Sequence, residues 1–139
     1  MSKRRRGSHS APRSGRSRTR HAAFEALVAR ALADIPAPFD RALDEVAIVI
    51  EDEPSPAQRR DNGLKPGEML YGLYDGIPRT EWGADLIPIP NKISLFRLPL
   101  EEDFPDPDEL ADEVRLTVLH ELAHHLGIDD ERLDELGLE

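Results

Sequence analysis

Cysteine is absent from the sequence, so no disulfide can staple the fold and no thiolate can bind a metal. That absence fits a reducing, cytoplasmic setting. Any metal site must then be built from histidine and carboxylate, a donor set suited to zinc. Long apolar runs are missing too. None approaches the roughly 18 residues of a membrane span, so no membrane association is expected. Aromatics make up only 5%, and none interleaves the arginines near the start of the chain, where stacking on nucleic-acid bases would need them. What is present suits one domain: 139 residues, of which 39% are hydrophobic, supply a single modest core.

The net charge of −10 conceals a division. Residues 1–20 hold eight Lys/Arg and no acid, whereas residues 21–139 set ten Lys/Arg against 28 acids, so +8 faces −18. The basic segment carries Lys3, Arg4, Arg5, Arg6, Arg13, Arg16, Arg18 and Arg20 among Ser, Gly and Pro. It has no apolar residue larger than alanine after Met1, and such a segment cannot bury a core. It is expected to be a disordered tail, with residues 21–139 as the folded domain. No apolar stretch follows the basic start, so no signal peptide is expected. The tail reads either as a solubilising or self-docking segment or as an arm making weak contact with nucleic acid.

Along the domain, Phe24, Leu27, Val28, Ala31, Leu32 and Ile35 recur at helical spacing until Pro36 and Pro38 intervene. Val46 to Ile50 reads as a buried strand, residues 52–67 as a Pro- and Gly-rich loop, and Met69 to Tyr74 as a second strand closed by Asp75-Gly76. Ile93 to Arg97, between Pro90 and Pro99, reads as an edge strand, because proline cannot donate to a ladder. Asp106-Pro107-Asp108-Glu109 is a helix start, and nothing breaks the pattern until Gly127, which predicts a helix over about 107–126. A short amphipathic turn with Leu133, Leu136 and Leu138 follows. The order implies an α+β domain: a small mixed sheet packed with an N-terminal helix and a long C-terminal one.

The chemistry concentrates in that last helix, at His120-Glu121-Leu122-Ala123-His124. The two histidines lie about 40° apart and one turn above each other, so both rings can reach one ion. Val118, Leu119, Leu122, Ala123 and Leu126 fall on the opposite side, which lets the helix bury its back while its front lines a cleft. Glu121, about 100° round from His120, is placed to take a proton from metal-acidified water and pass it to a leaving amine. Two histidines leave the site one ligand short. Gly127 permits a left-handed turn that can bring Asp129 or Asp130 back towards the metal. His125 points away from this face and reads as a buried or hydrogen-bonded histidine.

The stretch resembles the zincin superfamily, whose longer pattern His-Glu-x-x-His-x-x-Gly-x-x-Asp is matched by His120, Glu121, His124, Gly127 and Asp130. Together with Leu70 to Pro78 and Ile93 to Arg97, it resembles the small bacterial zincin-like metallopeptidases. That resemblance implies a minimal zincin-like domain and one Zn2+ held by His120, His124 and Asp130. It further implies Glu121 as the catalytic base and hydrolysis of a peptide or protein substrate. It also implies that Ile93, Ser94, Leu95, Phe96 and Arg97 bind extended substrate as an edge strand. The alternative is a zinc-binding protein with little or no catalysis, in which the metal has a structural or regulatory role. Met1 and Met69 both precede the motif, so the methionine turn of metzincins is not expected. The far wall that longer zincins build from a second subdomain is not expected either. Tyr71, Tyr74 and Arg79 are candidate oxyanion stabilisers, each with a structural role as the simpler reading.

Overall fold

The structure, a computed structural model, describes residues 4–5, 17–76 and 91–136, without the side chains of Arg4, Arg5, Ser17, Asp130 and Leu136. Helix α1 (Ser17–Ala33) begins four residues before the expected start, so the supposed boundary at residue 20 falls inside it. Its stripe of Phe24, Val28 and Ala31 is buried. The chain then passes through α2 (Phe39–Ala42) and a 3-10 turn (Leu43–Glu45) into β2 (Ala47–Glu51), close to the predicted strand. Part of the tail is also structured: β1 (Arg4–Arg5) pairs antiparallel with β3 (Met69–Leu70). Lys3, Arg6, Arg13 and Arg16, on which the nucleic-acid expectation rests, lie outside the described residues.

The stretch expected to be only loop contains α3 (Pro56–Asp61). Ser55 Oγ accepts the Gln58 backbone N–H at 3.1 Å, and Gln58 accepts the Ser55 N–H at 2.8 Å, a reciprocal cap that satisfies two otherwise unpaired donors. The second predicted strand is two, β3 and β4 (Gly72–Asp75), separated at Tyr71. At the end of β4, a side chain on Gly76 would collide with Asn91 Oδ1, at 2.0 Å, so only glycine fits there.

The main sheet runs β2–β5–β4, with β5 (Lys92–Phe96) between its partners. β2 lies parallel to β5 with Val49 opposite Ser94, and β4 lies antiparallel with Leu73 opposite Ser94. The segment Ile93–Arg97 is therefore not an edge strand. The ladder runs from Lys92 to Phe96, so Pro99 cannot interrupt it, Pro90 being outside the described residues, and Ile93, Ser94, Leu95 and Phe96 are fully buried, as a central strand requires. Arg97 leaves the strand altogether and opens α4 (Arg97–Asp103), with Pro99 in the first turn, where its missing N–H costs no hydrogen bond. The Arg97 guanidinium, 3% exposed, bonds Asp52 at 2.9 Å and Glu101 at 2.7 Å.

Helix α5 (Pro107–His125) matches the predicted long helix to within a residue and packs against α1 and the sheet. Ile93, Leu95 and Tyr71 join Phe24, Val28, Val114, Val118 and Leu122 in one core. Leu70, Leu73 and Phe96 form a smaller one with Leu64. Helix α6 (Asp130–Leu136) seats Leu133 in the main core. The whole is a small mixed α+β domain, as expected, with the histidine helix lying across a three-stranded sheet.

Candidate metal centre

Helix α5 is anchored at both ends by local chemistry. Asp106 Oδ2 accepts the Glu109 N–H at 3.0 Å and Pro107 occupies the first turn. At the other end, Gly127 takes φ +78°; its N–H bonds the His124 carbonyl at 3.0 Å, and the Ile128 N–H bonds the Ala123 carbonyl at 2.8 Å. That pair of bonds is the Schellman arrangement, in which a left-handed residue reverses the chain. Between these ends Val114, Val118, Leu119, Leu122 and Ala123 are buried. His120 and His124 are partly exposed, with ring centroids 4.9 Å apart. The rings stand together on one face, as the spacing predicts.

A third face of α5 is polar and buried. Glu113, Thr117, Glu121 and His125, four residues apart in turn, are all at most 7% exposed. Thr117 packs on Gly72, Glu121 Oε1 accepts the Tyr74 backbone N–H at 3.0 Å, and His125 Nδ1 lies 3.0 Å from the Tyr74 hydroxyl. The ridge therefore runs along β4. Glu121 also lies beside the histidines: its Oε1 is 3.6 Å from His124 Nδ1, beyond hydrogen-bond range but within that of an ion pair. His125 is fully buried and bonds Glu45 through Nε2 at 3.0 Å, which fits its reading as a hydrogen-bonded histidine.

Of the two aspartates, Asp129 is exposed, and its Oδ1 accepts the Arg132 N–H at 2.9 Å, which makes it the N-cap of α6. Asp130 is the first residue of α6, and its side chain lies outside the described residues. Among the described residues no three His, Asp or Glu side chains form a group that would hold a metal. Tyr71 and Tyr74 are tied up structurally: the Tyr71 hydroxyl donates to Asp103 and that of Tyr74 meets His125 and Asn91. Arg79 lies outside the described residues. A cleft of about 520 Å³ lies at the other end of α5, lined by Leu27, Arg30, Phe104 and Leu110, and no catalytic chemistry converges on it.

A family model for zincin-like metallopeptidases matches residues 43–138. The chain belongs to the zincin-like metallopeptidase family. No curated protein matches it. The matched part of the chain begins in the 3-10 turn and takes in all three strands of the main sheet and the whole His120–Asp130 segment, leaving α1 outside. Its fold is a minimal zincin-like domain. Among its described residues, no helix is long and apolar enough to cross a membrane. Sequence reasoning missed the Gly72–Thr117 contact and the Tyr74 amide on Glu121. A glycine inside an apolar strand signals close approach of another backbone or side chain and could have found the first.

Proposed function

We propose that the chain hydrolyses peptide bonds with one zinc ion held by His120, His124 and Asp130, and with Glu121 as the general base. The observation that carries this is the pair of partly exposed imidazoles 4.9 Å apart, beside a glutamate fixed between helix and sheet. The donor set fits zinc: two imidazoles and a carboxylate, with no thiolate, leave one coordination position open, as catalytic sites do. Asp130 is favoured as the third ligand because Gly127 turns the chain back and the Asp129 carboxylate already caps α6.

When bound, zinc would supply a Lewis acid that acidifies water and polarises the scissile carbonyl. His120 and His124 must be neutral at the ligating nitrogens. Because His124 Nδ1 faces Glu121, Nε2 is the nitrogen suited to the metal. Glu121 keeps Oε1 on the Tyr74 N–H, so the carboxylate is oriented before substrate arrives. In this reading Oε2 accepts the proton from water and delivers it to the leaving amine.

The test is Glu121→Gln in zinc-loaded protein against a peptide library. The variant should keep its zinc and lose cleavage by about 10²-fold or more. Cleavage at the wild-type rate would remove Glu121 from the base role. One observation favours a second reading. Glu121 is 0% exposed, which suits a zinc-binding protein without turnover, where the metal pins α6 to α5. That reading predicts a chelator-induced fall in thermal stability with no peptide ever cut.

A further inference from the structure

We infer that Tyr74 is the positioning residue for Glu121, clamped at its amide by that glutamate and at its hydroxyl by His125, with Glu45 locking His125 in turn. The catalytic consequence rests on the peptidase reading above, whereas the clamp itself rests on distances alone. Glu121 and His125 are four residues apart, so their side chains lie one turn apart on the same face of α5. Both reach the same residue of β4. Glu121 Oε1 takes the Tyr74 N–H at 3.0 Å, and His125 Nδ1 lies 3.0 Å from its hydroxyl. One strand residue thus spans one helical turn.

The ladder explains why that amide is available to a side chain. The Phe96 N–H bonds the Tyr71 carbonyl at 2.9 Å. Alternation along an antiparallel pair then directs Tyr71, Leu73 and Asp75 towards β5 and the Tyr74 N–H outwards. Glu121 takes this outward donor.

The other end is held by His125, whose Nδ1 lies 3.0 Å from the Tyr74 hydroxyl and whose Nε2 lies 3.0 Å from Glu45 Oε1. The Tyr74 hydroxyl also meets Asn91 Oδ1 at 3.2 Å. The ring also packs on His125 at 5.7 Å between centroids. His125 is fully buried, and its network ties the 3-10 turn, β4 and α5 together. In such a low-dielectric network each bond strengthens the next. Glu121 is therefore held by a residue whose far end is itself held, next to the two histidines.

Tyr74→Phe removes the hydroxyl and keeps both the ring and the amide. It should raise hydrogen exchange at the residue-74 amide at least tenfold, leaving the Ser94 and Leu95 amides of β5 and the zinc stoichiometry unchanged. On a cleaved peptide it should lower kcat by about 10- to 100-fold with KM near wild type, since a misplacement of about 1 Å can cost about 10² in rate. His125→Leu should do the same, and His125→Asn, whose side-chain amide can still hydrogen-bond the phenol, should recover part of both effects. If His125→Leu does not fold, Tyr74→Phe decides. A Tyr74→Phe protein with intact β5 protection and wild-type exchange at residue 74 would overturn the clamp. A wild-type protein that cuts no peptide would instead sink the peptidase reading and leave the exchange result to judge the clamp.

Discussion

Gly72→Ala places a methyl group where α5 already stands: a Cβ at this position would lie 2.6 Å from Thr117 Cγ2 and 3.2 Å from the Ser94 carbonyl oxygen. Carbon atoms pack at about 3.5–4.0 Å, so β4 or Thr117 must retreat by about 1 Å. Overpacking of this kind costs about 1–3 kcal/mol. Against that, alanine restricts the unfolded chain and returns about 0.4–1 kcal/mol. The net loss should be about 1–2 kcal/mol, a fall in Tm of roughly 3–10 °C for a domain of this size. Thr117→Ser removes the offending methyl and keeps the hydroxyl. Urea or thermal unfolding of both single variants and the double variant then forms a cycle. In the serine background, Gly72→Ala should cost less by more than about 0.5 kcal/mol, beyond the scatter expected of independent sites. Equal cost in both backgrounds, or no cost in either, would refute the view that glycine serves the approach of β4 to α5.

Other perturbations follow from the same contacts. The Thr117 hydroxyl is buried with no hydrogen-bond partner among the described residues, so Thr117→Val should stabilise by about 1 kcal/mol, read from the urea midpoint. Gly127→Ala forces a side chain into φ +78° and should cost about 1–2 kcal/mol. Titration should also show weaker zinc binding in that variant, because the turn leads into Asp130. Arg97→Met removes the buried guanidinium that pairs with Asp52 and Glu101 and should cost about 2–4 kcal/mol in chemical denaturation while leaving zinc affinity unchanged.

What could be read in advance was local. The Asp106 cap, Pro107, the face shared by His120 and His124 and the reversal at Gly127 depend on residues within a turn or two of one another, and each is where the spacing put it. Helix α3 was equally local, since Ser55 and Gln58 form its cap, but the surrounding prolines and glycines spoke louder for a loop. The place of β5 was not local. The flanking prolines suggested an edge, yet the ladder runs only from Lys92 to Phe96, and the pairing with both β2 and β4 decides the matter. For Glu121, helical angles gave its distance round from His120. Its burial depends on β4 arriving 47 residues earlier in the chain with an outward amide. The links among Glu45, Tyr74 and His125 join three distant segments and leave no periodic trace.

A zinc site on α5 is tested most directly by zinc content after exhaustive dialysis of the wild-type, His120→Ala, His124→Ala and Asp130→Ala proteins. The wild-type chain should retain one zinc, either histidine variant none, and Asp130→Ala should retain it more weakly, all with helical content preserved. A wild-type chain that holds no zinc, or histidine variants that hold it as tightly as the wild type, would contradict that site.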